Sequence, residues 1–111
     1  MLNERVRISL LYDFYGPLLT DRQQAVFELY YEHDLSLGEI AGQFGVTRQA
    51  VHDILRRSGE ILEEYEQKLG LVARHLERRA ALGKALDLLA GSNEEQSVRV
   101  REILEEVLRE D

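Results

Sequence analysis

A chain of 111 residues with 14 basic and 21 acidic side chains carries a net charge of −7 at neutral pH, and it contains no cysteine. That length accommodates one core, either a compact domain or a small domain with a helical extension, and the missing cysteines exclude a disulfide framework or a thiolate metal site. No apolar run approaches the ~20 residues of a bilayer span, and the charged start MLNERVRISLLYDF lacks a cleavable apolar core, so a cytoplasmic protein is expected.

A single proline among many Leu, Glu, Arg and Ala residues predicts an all-α fold of about six helices. The first spans Asn3 to Tyr15, with Val6, Leu10, Leu11 and Phe14 on one face, and ends at Gly16-Pro17. Thr20 with Gln23 reads as a capping box that opens the second, whose stripe of Ala25, Val26, Leu29 and Tyr30 runs to about His33.

Residues Ser36 to Ser58, SLGEIAGQFGVTRQAVHDILRRS, have the pattern of a helix-turn-helix. Ser36 and Glu39 form a second capping-box pair, Ala41 sits where the first helix passes closest to the second, and Gly45 follows where a positive φ is required. Thr47 caps the second helix. That helix buries Ala50, Val51, Ile54 and Leu55 and exposes Arg48, Gln49, His52, Asp53, Arg56 and Arg57.

From Glu60 the pattern changes. Leu62, Tyr65, Leu69, Val72 and Leu76 are spaced as the seam of a helix that packs along another helix, and a shifted stripe of Leu82, Leu86 and Leu89 continues to Gly91. Gly70 and Gly83 are weak points in this long helix, and Ser92 with Glu95 opens the last one, which has Val100, Ile103, Leu104, Val107 and Leu108 on its apolar face. The reading divides the chain into residues 1–59, the N-terminal helices with the helix-turn-helix, and residues 60–111, a C-terminal helical extension. The seam can pack on the N-terminal helices of the same chain. A homodimer built from the C-terminal helices is the preferred expectation.

Duplex DNA is the partner that the exposed face of the second helix suggests. Arg48 and Gln49 occupy its first turn, where a groove-bound helix meets base edges, with Thr47 just before them. Gln49 suits adenine, Arg48 guanine or a phosphate, His52 a base or a phosphate, and Arg56 and Arg57 the backbone, with Arg22 as a further cation. The charge balance opposes simple duplex binding, because affinity for DNA comes largely from cations that displace counterions. Residues 59 to 111 alone hold 13 acidic and 8 basic side chains. Four cations per protomer bind weakly, so dimerisation matters.

The run YDFYGPLLTDRQQAVFELYYEHDLSLGEIAGQFGVTRQAVHDILRRSGEILEEYEQKLGL, Tyr12 to Leu71, resembles the YlxM family of small bacterial helix-turn-helix proteins. Its middle is similar to the promoter-reading region 4 of sigma factors. The resemblance rests on DFYG, LLT, LYYEHDLSLGEIA, TRQAV, the RR pair and YEQKL, in order, and on the acidic helical tail. It implies a sigma region 4-like domain with Thr47, Arg48, Gln49 and Ala50 at the start of recognition. It also implies a place in the signal recognition particle pathway, since such proteins are usually encoded beside the particle's protein subunit or its receptor. His52 stands where the family commonly has an aromatic residue, and Ile54 where it has a polar one.

Two function classes follow. In one, a dimeric regulator reads DNA. In the other, the helix-turn-helix is a retained scaffold whose surfaces bind a protein, such as the particle's GTPase or its receptor. No cofactor, metal or small-molecule ligand is expected. An enzyme is not expected either: His33, His52 and His75 make no metal-spaced motif, no glycine-rich phosphate loop is present, and the Glu63-Glu64, Glu94-Glu95 and Glu105-Glu106 pairs read as solvated helix faces.

Overall fold

The computed structural model describes residues 2–110, which form helices and no strands. The elements are α1 (Glu4–Tyr15), a 3-10 turn (Gly16–Leu18), α2 (Asp21–Tyr31), α3 (Leu37–Phe44), α4 (Arg48–Leu69), α5 (Leu71–Leu89) and α6 (Glu95–Glu110). They sort into two compact units, one reaching Val72 and the other beginning at Ala73.

Local capping chemistry sets most of the helix starts. Asn3 accepts a hydrogen bond from the Val6 amide at the head of α1, and complete capping boxes pair Thr20 with Gln23 and Ser36 with Glu39. Thr47 caps α4 alone through the Ala50 amide. Each satisfies a backbone donor that the first helical turn leaves without an intrahelical acceptor.

The core of the first unit around the helix-turn-helix is Val26, Ile40, Ala41 and Val51, with Leu29, Tyr30, Leu35, Leu37, Phe44, Val46, Ile54 and Leu55 packed around them. The turn that brings α3 onto α4 depends on Gly45, at φ 65° and ψ 35°. Its amide and that of Val46 both donate to the Ala41 carbonyl, so the chain leaves the helix with its last turn satisfied. A Cβ at Gly45 would meet no atom within 4 Å, which leaves the left-handed backbone as the only obstacle to another residue there. Gly45→Val is therefore expected to cost about 1–2 kcal/mol, seen as a lower thermal midpoint with unchanged helix content before melting.

α4 differs from the sequence reading in its length. It runs without interruption through residues 59 and 60, where the sequence pattern changes, and ends only at Gly70, in the left-handed conformation at φ 64°. The stripe changes phase at mid-helix because α4 packs on α2 and α3 with its first half and on α1 with its second. Arg7 makes a two-pronged ion pair with Glu63, at 2.9 and 2.8 Å. Tyr15 stacks on Tyr65 with centroids 5.9 Å apart. Between these contacts Leu62 is 0% exposed. Leu62 and Val72, two members of the seam, are thus buried within the first unit, in keeping with the alternative of packing inside one chain, while Leu69 stays exposed.

The start of α5 is fastened to the same place by a polar network. The Tyr15 hydroxyl donates to Glu66 Oε1 at 2.6 Å, the Val72 amide donates to the same oxygen at 3.0 Å, and the Leu71 amide donates to Tyr15 Oη at 3.1 Å. A buried carboxylate at a helix N-terminus satisfies free amides and complements the helix dipole.

In the second unit α5 passes straight through Gly83, so only Gly70 of the two expected weak points breaks a helix. The last helix begins at Glu95, two residues later than a Ser92 cap would place it. Gly91 turns the chain at φ 82°, and the Ser92 hydroxyl accepts from the Glu94 amide at 3.4 Å, so Ser92 serves the turn and not a capping box. Two arginines close the α5–α6 hairpin: Arg79 donates to the Leu108 carbonyl at 2.9 Å and Arg101 to the Leu89 carbonyl at 3.2 Å. No helix among the described residues is long and apolar enough to cross a membrane.

Candidate nucleic-acid interface

Buried Val51 with half-buried Ile54 and Leu55 hold the inner face of the first half of α4 against α2 and α3. By helical geometry the residues between them must point outward. Thr47, Arg48, Gln49, His52, Arg56 and Arg57 are all exposed, as is Arg22 at the start of α2.

Arg48 does not stand free at the tip of the helix. Its guanidinium lies against α3 at Gly38, where a Cβ would come 3.0 Å from Nε. Gly38 is thus the residue that gives Arg48 its place, and the helix start beside it has amides and a dipole that favour an anion. Glu39 in that same turn is held below the usual carboxylate range because it accepts hydrogen bonds from Ser36. Arg22 lies over the Phe44 ring, 5.6 Å from its centroid, which fixes it near the end of α3.

Further along α4 the outer face alternates in sign. Gln49 Nε2 donates to Asp53 Oδ1 at 3.0 Å, and His52 Nδ1 lies 3.8 Å from that oxygen. Asp53 therefore serves the first turn of the helix, not Arg56 or Arg57 as its spacing also allowed. Arg56 pairs instead with Glu60 at 2.8 Å, and Arg57 approaches Glu60 at 3.6 Å and Glu64 at 3.9 Å. These pairs are exposed and at helical spacing, and such pairs are worth about 0.3–0.5 kcal/mol. A phosphate can displace the carboxylates. Glu60 and Glu64 thus border the candidate face, where the sequence reading has Glu64 only as part of a solvated helix face and gives Glu60 no role. The signal was the i,i+4 spacing of Arg56 and Glu60.

This geometry combines a first helix ended by a left-handed glycine, a second helix capped by Thr47, and an outer face of Arg, Gln and His over a core of Val26, Ile40, Ala41 and Val51. A family model described as "Putative helix-turn-helix protein, YlxM / p13 like" (UPF0122) matches residues 2–103. A UPF0122 protein of Desulforamulus reducens is 53% identical over 90 residues, which is 81% of this chain and 77% of that protein. One of Geobacillus kaustophilus is 44% identical over 106 residues, covering 93% of this chain and 96% of the relative. The UPF0122 protein YlxM of Bacillus subtilis is 43% identical over 97 residues, 87% of this chain and 88% of that one. Matched along nearly its whole length, the chain belongs to the YlxM / p13-like family of helix-turn-helix proteins.

Proposed function

We propose that this protein is a cytoplasmic DNA-binding regulator that reads duplex DNA with the first turns of α4 and acts as a pair of copies, in the signal recognition particle pathway that the family resemblance implies. The observation that carries the reading is the outward set of Arg48, Gln49 and His52 on a helix whose inner face is locked into the core. A rigid helix with exposed bidentate donors in its first turn suits base edges in a major groove. Arg48 packed beside the start of α3 suits a base edge at the head of the helix, and Arg22 over Phe44 suits the backbone beside it.

A second reading has its own support. Arg56 and Arg57 are paired with carboxylates, and the chain as a whole is acidic. That combination suits a modulator that binds a basic protein, such as the particle's GTPase or its receptor, without touching DNA.

Salt dependence of binding to a fluorescent duplex separates the two. Two copies that each use Arg22, Arg56 and Arg57 on phosphates should give a log–log slope of about −5. Glu60→Gln removes the carboxylate shared by Arg56 and Arg57 and is expected to tighten duplex binding about threefold to tenfold, as loss of one local repulsion and one competing pair would. No binding of any duplex at micromolar protein, by wild type and Glu60→Gln alike, would favour the protein-binding reading.

A further inference from the structure

α6 carries two apolar ridges. Val98, Arg101, Leu104 and Leu108 are half-buried on the side joined to α5 by the arginine–carbonyl bonds. Val100, Ile103 and Val107 form a second ridge that is 45%, 53% and 39% exposed. Single exposed apolar side chains are ordinary, but three at spacings of three and four along one helix make the narrow stripe of a two-helix seam.

We propose that this second ridge is a contact between two copies of the chain, with their α6 helices paired antiparallel about a twofold axis. The proposal deepens the two-copy part of the reading above, but it concerns association in the absence of DNA and stands or falls separately from DNA binding.

Charge selects both the occupant and the direction. Arg99 and Glu106 are exposed, lie seven residues apart, and so flank the ridge on the same side near its two ends. A twofold axis across the helix brings the level of Arg99 in one copy to the level of Glu106 in the other. Arg99 then faces Glu106 of the second copy, and symmetry repeats the pair. In the same register Val100 meets Ile103 of the second copy, and Val107 meets the aliphatic stem of Gln96. Parallel pairing would set Arg99 opposite the apolar Leu104 of the second copy and leave it without an ion-pair partner across the seam. The surface is complementary to itself in one orientation only.

Sedimentation equilibrium of the full chain without DNA tests this. The wild type should dimerise. Ile103→Glu should weaken association about a hundredfold, as loss of a central apolar anchor does, with an unchanged circular dichroism spectrum because the side chain faces solvent. Arg99→Glu and Glu106→Arg should each weaken the dimer, and the two combined should restore it, because the pair is re-formed with reversed sign. A monomeric wild type at high micromolar concentration, a dimer indifferent to Ile103→Glu, or a combined variant weaker than either single one would overturn the proposal.

Discussion

Leu62→Ala is expected to cost about 3–5 kcal/mol, enough to leave much of a marginally stable domain unfolded at ordinary temperature. Leu62 is fully buried where α4 crosses α1, between the Arg7–Glu63 ion pair and the Tyr15–Glu66 hydrogen bond. Removing three carbons there loses their transfer free energy and leaves a cavity. The flanking helices cannot collapse into it without breaking the polar contacts on either side. Chemical denaturation read by circular dichroism measures the loss. The same substitution also asks which helix the seam serves: a residue buried in a dimer contact would give a stability that depends on protein concentration, and Leu62 should not. A denaturation midpoint that moves with concentration in the wild type and stops moving in Leu62→Ala would contradict the packing of Leu62 within the chain.

The second large effect concerns binding. Replacing Arg48 and Arg56 together with Ala should weaken duplex DNA binding about a hundredfold or more, since each such contact is worth about 1–3 kcal/mol and each is made by two copies. Both side chains are exposed, so helix content and thermal midpoint should stay within the small range of surface substitutions. The two positions also differ in kind. Arg48 is held against Gly38 and on the proposed reading meets a base edge, so its loss should relax sequence preference. Arg56 must first leave Glu60, so its loss should mainly flatten the salt dependence. Competition titrations with specific and unrelated duplexes separate these contributions, and an affinity unchanged in the double variant would remove α4 as the reader.

What could be read from the sequence was what depends on residues close together in the chain. The Thr20–Gln23 and Ser36–Glu39 capping boxes, the Thr47 cap and the left-handed Gly45 are set by spacings of a few residues, and each is present in the structure. Ser92 and Glu95 show the same spacing without the box, because Gly91 has already placed Ser92 inside a turn. The continuity of α4 was hidden for a different reason. A stripe that changes phase looks like the end of a helix, whereas here one helix turns one side to α2 and α3 and another to α1. Glu66 illustrates the limit most clearly. It is a carboxylate buried beside the seam, and only the tertiary approach of Tyr15 and the start of α5 explains it.

The exposed face of the candidate site followed from helical periodicity alone, which is why Thr47, Arg48, Gln49, His52, Arg56 and Arg57 all lie outside the core. How their charges are balanced did not follow. Asp53 had several partners within reach at helical spacing, and the structure joins it to Gln49. The place of Arg48 against Gly38 depends on how α3 crosses α4, which no local pattern encodes.

Whether α4 reads duplex DNA is decided by selection from a randomised duplex pool by the purified full-length protein at about 100 mM salt, where phosphate contacts still contribute strongly. A dimeric reader should enrich a motif with two related half-sites, about one helical turn or a multiple of it apart, lost in the Arg48→Ala, Arg56→Ala variant. A pool that emerges unenriched at micromolar protein would contradict the claim and leave the helix-turn-helix as a scaffold for a protein partner.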